Sequence, residues 1–125
     1  MKKKIYYHDT DCGGVVYYSN YLKYLEEART EFFNEKGFSI KELADSGTMF
    51  VVARQEIDYK APGVYGDVLE IKTSIAETST VKIIFENEIY NQDGRLITKA
   101  KTVLVCVDKN LKPKAIPAEI RSKFS

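Results

Sequence analysis

The feature that most constrains this chain is a single long amphipathic helix set ahead of a run of strands. From about Val16 to Lys36 the apolar residues Tyr21, Leu25, Ala28 and Phe32 recur at helical spacing, Leu22 and Phe33 widen the stripe, and Gly37 supplies a stop. Four strand-like segments follow, Met49 to Tyr59, Val68 to Glu77, Thr80 to Tyr90 and Leu96 to Val107, with breaks at Pro62-Gly63, Thr78-Ser79 and Asp93-Gly94. They predict sequential antiparallel hairpins. Leu69, Ile71, Thr73 and Ile75 alternate with Glu70, Lys72 and Ser74, so that strand buries one face and wets the other. A short opening strand is expected at Ile5 to Tyr7. A capping box from Ser39 to Glu42 starts a second helix ended by Gly47, and Pro117 opens a terminal helix through Phe124. The long helix is apolar on more than half its circumference, so the sheet is expected to curl around it in an α+β fold.

A chain of 125 residues is the size of one domain, and residues 1–125 are taken as such. Lysine and arginine total 19 against 18 acidic residues, a net charge of +1, which excludes the strong field of a nucleic-acid binder. Lys2, Lys3, Lys4, Lys109, Lys112 and Lys114 read as solvated surface, with local contact to a small phosphorylated ligand as the second possibility. Cys12 and Cys106 are too few for a disulfide framework, which points to reduced thiols in the cytoplasm. The basic Met1 to Lys4 is not followed by the apolar stretch of a signal peptide, and no segment is long enough to span a bilayer.

The chemistry concentrates in His8-Asp9-Thr10-Asp11-Cys12-Gly13-Gly14, where small and turn-forming residues precede the helix. Acyl transfer needs a nucleophile or base and donors aimed at a developing oxyanion. Asp11 supplies the first. Gly13-Gly14 allow close backbone approach, and the helix start offers unpaired N–H groups and a positive dipole end. On local grounds alone Asp11 could instead cap the helix, and Asp9 reads as a capping or turn residue. A His8–Cys12 nucleophile pair is disfavoured because such pairs come from distant segments, and a metal site at His8, Asp9, Asp11 and Cys12 because neighbours on an extended chain point apart. Tyr21 and Tyr24 read as core; Glu26 is expected to pair with Arg29, with a place near the acyl group as the alternative.

The run Asp9-Thr10-Asp11-Cys12-Gly13-Gly14-Val15-Val16-Tyr17-Tyr18-Ser19-Asn20-Tyr21, with Glu26 and Ala28-Arg29, resembles the 4-hydroxybenzoyl-CoA thioesterase family and its Tol-Pal-associated bacterial branch. Asp58-Tyr59, Pro62 and Gly66-Asp67 match a second, weaker signature, so the likeness covers nearly the whole chain. The resemblance implies a hotdog fold, a helix wrapped by a curved antiparallel sheet. It also implies homodimers or homotetramers with active sites at subunit interfaces, an acyl-CoA substrate, and neither cofactor nor metal. Residue by residue, Asp11 matches the catalytic aspartate and the backbone N–H of Tyr18 the group that polarises the thioester carbonyl. Asp11 would act as nucleophile or as general base for water. At Tyr18 the chain departs from the Tol-Pal branch, which usually has histidine there, and agrees with the hydroxybenzoyl-CoA prototype. A tyrosine with a pKa near 10 is a poor base at neutral pH, so more of the work falls on Asp11 and backbone donors.

Two other functions fit the same fold. A dehydratase or hydratase wants a well-placed histidine, and the only one is His8, ahead of the loop. A non-catalytic acyl-thioester binding or partner-interaction module would not need Asp11.

Overall fold

The computed structural model describes residues 1–124. Its strands are β1 (Lys2–Lys4), β2 (Met49–Tyr59), β3 (Val68–Thr78), β4 (Lys82–Tyr90) and β5 (Leu96–Val107); its helices are α1 (Asn20–Glu35), α2 (Ile40–Asp45) and α3 (Ala118–Lys123). The strands form one antiparallel sheet in the order β1-β3-β4-β5-β2. It curls around α1, giving the α+β hotdog fold.

The interior of α1 follows the sequence pattern. Tyr21, Tyr24, Leu25, Ala28, Arg29 and Phe33 are buried at spacings of three and four. Its end is a Schellman motif: Gly37, at φ 91°, donates to the Asn34 carbonyl and Phe38 to the Phe33 carbonyl. In α2 the Ser39 hydroxyl accepts the Glu42 N–H at 3.2 Å, and Gly47 follows at φ 94°.

Several boundaries differ from the sequence expectation. The opening strand is Lys2–Lys4, not Ile5 to Tyr7. As an edge strand it needs only backbone pairing, Lys3 opposite Leu69, while Ile5 plugs the core and Tyr7–Asp9 coil into a 3-10 turn. The helix starts at Asn20 rather than near Val16, because the Val16 N–H is committed to the Gly63 carbonyl at 2.8 Å. Leu22 does not widen the buried stripe; it is exposed. β4 begins at Lys82, since Ser79 and Lys82 close the turn, the Ser79 N–H reaching the Lys82 carbonyl at 2.8 Å.

The larger difference is in pairing. β3, β4 and β5 are joined by hairpins as expected, but β2 pairs with β5 at the far side of the sheet. Residues 60–67 connect β2 to β3, longer than the two to five residues of a tight hairpin, and they cross beside the loop that precedes α1. One edge of β2 is therefore unpaired.

The core has two parts. One joins Tyr21, Tyr24, Leu25 and Ala28 of α1 to Ile5, Val16, Leu69, Ile71, Ile89 and Ile97. The other joins Phe33 to Ile83, Phe85, Leu104, Ile116, Ile120 and Phe124, with Phe32, Phe38 and Phe50 packed against it. Between them lies a polar belt. Asn87 donates to the Thr73 hydroxyl at 2.8 Å; Arg29 reaches Thr102 at 3.4 Å, and Thr102 donates to Gln55 at 2.9 Å. The expected Glu26–Arg29 ion pair is not formed: Arg29 turns inward to Thr102, and Glu26 faces solvent. Burial lowers the Arg29 pKa, an effect that nearby Glu26 partly offsets.

Candidate active site

The segment before α1 folds back on itself. Thr10 and Val16 form an antiparallel bridge, the Asp11 N–H donates to the Val15 carbonyl at 3.0 Å, and the Gly14 N–H returns to the Asp11 carbonyl at 3.0 Å. The chain can turn this tightly because Gly14 takes φ 76°, a conformation open to glycine at little cost. Asp11 sits exposed at the mouth of the turn. Its Oδ1 accepts the Gly13 N–H at 2.9 Å, and its Oδ2 has no hydrogen-bond partner among the described residues. The helix-capping alternative for Asp11 fails, since its side chain bonds within its own loop and α1 starts nine residues later.

Asp9 is the turn residue expected of it. Nearly buried, it accepts the Tyr6 N–H on Oδ2 at 2.9 Å and so closes the 3-10 turn. The Tyr24 hydroxyl is fully buried beside the Asp9 carboxylate, with no bond of full hydrogen-bond geometry among the described residues. Burial first, and then the carboxylate of Asp9, hold it protonated well above the usual tyrosine range.

Tyr18 lies just outside α1. The first turn is tightened: Asn20, Tyr21 and Leu22 donate to the carbonyls of Tyr17, Tyr18 and Ser19. Ser19, at the N-cap, makes no side-chain cap bond. The N–H groups of Tyr18 and Ser19 have no acceptor among the described residues, and both lie at the positive end of a 16-residue helix. The Tyr17 N–H donates to the Asp9 carbonyl at 3.0 Å, bringing the stretch that carries Tyr18 alongside the one that carries Asp11.

An open cavity of about 350 Å³ adjoins Tyr18, lined also by Val16, Tyr21, Tyr59, Lys60, Ala61 and Pro62. The Gly63 N–H donates to the hydroxyl of the lining residue Tyr21 at 3.1 Å; a Cβ on Gly63 would come within 3.0 Å of that oxygen. Tyr59 stands edge-on to Tyr18, with ring centroids 6.3 Å apart, and burial raises the pKa of both Tyr21 and Tyr59. The lining is mainly apolar, with tyrosine hydroxyls and one lysine, a composition suited to an acyl group.

The remaining sequence candidates separate. His8 is exposed and stacks on Tyr6 with ring centroids 5.9 Å apart; Cys12 is exposed. Asn20 carried no sequence expectation, yet its side-chain nitrogen donates to the Asp9 carbonyl at 2.8 Å. Its position directly after the N-cap residue was the available signal.

Residues 6–124 match the thioesterase-like superfamily. The acyl-CoA thioester hydrolase YbgC of Escherichia coli is 38% identical over 122 residues, 97% of this chain and 91% of that protein. The crystal structure of a hypothetical protein from Aquifex aeolicus superposes with a TM-score of 0.94 at 32% identity, covering 100% of this chain and 98% of that one. A gentisyl-coenzyme A thioesterase superposes with a TM-score of 0.90 at 32% identity over 97% and 98%. Fold, loop and extent of match agree, and the chain belongs to the thioesterase-like superfamily.

Proposed function

We propose that this protein hydrolyses acyl-CoA thioesters to a free acid and coenzyme A, with Asp11 as its catalytic carboxylate and the Tyr18 N–H as the donor to the thioester oxygen. The observation that carries this reading is the pairing of two unsatisfied groups of opposite character on segments pinned together at Asp9. One is a carboxylate oxygen on a glycine turn; the other is an N–H at a helix start. A thioester carbonyl placed between them would be attacked from one side and polarised from the other.

Two routes are open to Asp11. As nucleophile, a carboxylate oxygen adds to the thioester carbon, coenzyme A leaves as thiolate and takes up a proton from solvent, and water then cleaves the mixed anhydride. As general base, Asp11 takes a proton from a water that attacks the same carbon. Label in Asp11 after single turnover in ¹⁸O-water, from attack of water on the aspartyl carbonyl of the anhydride, identifies the nucleophilic route; trapping the acyl-enzyme with hydroxylamine covers attack on the acyl carbonyl.

The chain is read as one catalytic domain over residues 1–125, acting as a homodimer or as a dimer of such dimers. The support is the unpaired edge of β2 together with the position of α1, which packs on β3 and leaves Leu22, Tyr18, Tyr59 and Val52 exposed toward that edge. Two cysteines outside any disulfide fit a cytoplasmic location, and no helix among the described residues is long and apolar enough to cross a membrane.

Release of free thiol from a panel of acyl-CoA thioesters tests the proposal. Turnover by the native protein that falls about a thousandfold in Asp11→Asn, with the thermal midpoint retained, is the expected result. Turnover surviving in the variant removes Asp11 from its role, and no turnover with any thioester favours a binding module.

A further inference from the structure

We infer that Asn20 is a positioning residue for thioester hydrolysis, the tie that fixes the Asp11 turn relative to the Tyr18 N–H. The inference rests on the reaction proposed above and adds a residue to it. Asn20 occupies the first position of α1, one residue past the N-cap Ser19, so capping the helix is not the task of its side chain. Its amide nitrogen points backward across the loop and donates to the Asp9 carbonyl at 2.8 Å. The partner is a carbonyl oxygen, so only the nitrogen end of the amide can make this bond.

The same carbonyl accepts the Tyr17 N–H at 3.0 Å, and the Asn20 N–H in turn donates to the Tyr17 carbonyl at 2.9 Å. Asn20 therefore holds both neighbours of the chemistry: through its side chain the residue two places before Asp11, and through its backbone the residue just before Tyr18. The second contact also acts on the donor directly. The Tyr17 carbonyl and the Tyr18 N–H belong to one peptide unit, and a carbonyl that accepts a hydrogen bond makes the N–H of its own amide a stronger donor. Asp9 is held from its other side as well, by the Tyr6 N–H on its carboxylate.

The test uses Asn20→Ala, which removes the side-chain donor, and Asn20→Asp, which keeps the shape and turns an acceptor toward the Asp9 carbonyl. Steady-state kinetics on the best acyl-CoA substrate should show kcat lowered by about 10- to 100-fold in both, with KM within about threefold of native, because the pocket is intact and the reacting groups are misaligned. Amide hydrogen exchange read at Tyr17 should quicken in both Asn20 variants and stay native in Asp11→Asn. Native kcat in a folded Asn20→Asp variant, or native protection at Tyr17, overturns the inference. If no thioester is turned over by the native protein the proposed reaction falls, and the Tyr17 exchange still decides whether Asn20 ties the two segments.

Discussion

The two ends of the core are built from different aromatics. All six phenylalanines of the chain lie in one cluster, with Phe33, Phe85 and Phe124 buried and Phe32, Phe38 and Phe50 packed against them. At the other end Tyr21 and Tyr24 stand inside the core, with Tyr17, Tyr18 and Tyr59 around the cavity mouth. Both ring types bury large apolar area, but a buried hydroxyl needs a partner or loses stability. The phenylalanine end can close without polar contacts. The tyrosine end keeps hydroxyls beside an open cavity, and the Tyr24 hydroxyl lies next to the Asp9 carboxylate. The Arg29–Thr102–Gln55 belt marks the boundary. One end is closed core; the other carries the candidate site.

That division can be broken from either side. Phe33→Ala should cost about 3–5 kcal/mol of stability in denaturant unfolding while leaving kcat per folded molecule close to native. At the other end, Tyr18→Pro removes the ring together with an N–H that has no acceptor among the described residues, and should lower kcat by roughly 10²- to 10³-fold; Tyr18→Ala, which removes the ring and keeps that N–H, should lose far less. The belt is probed by Thr102→Val, which leaves the buried Arg29 guanidinium without its hydroxyl partner and should destabilise by about 1–3 kcal/mol.

The smallest expected effect is that of Tyr24→Phe, which removes a buried hydroxyl beside the Asp9 carboxylate and should change stability by about 1 kcal/mol or less at neutral pH. It should also change the alkaline limb. The folded protein holds Tyr24 protonated above the unfolded value near 10, so the stability linked to this group is complete below that value and is lost as pH rises through the raised one. Chemical unfolding between neutral and strongly alkaline pH should show a shallower loss in the variant.

Much of this was legible in the sequence, and what was not has a common cause. The α1 stripe, the Gly37 stop and the one-sided burial of β3 follow from local periodicity. Asp11 and Tyr18 were named from the motif; the fold adds that one has a carboxylate oxygen, and the other an N–H, without a partner among the described residues. The pairing of β2 with β5 was not legible, because nothing in Met49 to Tyr59 records which neighbour it meets. Nor were the start of α1, set by the Val16–Gly63 bond, the inward turn of Arg29, or the tie from Asn20 to Asp9. Each depends on a partner far along the chain or on the exact course of a loop, and local pattern carries no record of either.

The unpaired edge of β2 bears on how the protein survives in a cell. Its eleven residues present free N–H and carbonyl groups beside Val51 and Val52, and the neighbouring Ala53 is also exposed. An exposed edge of that length is a template for non-native strand addition between molecules. Arg54 and Glu56, joined by an ion pair of 2.6 Å, charge one part of the strand and leave the valine part undefended. Left uncovered, that stretch would make each newly made chain a seed for aggregation, so whatever covers it also decides how much of the protein persists.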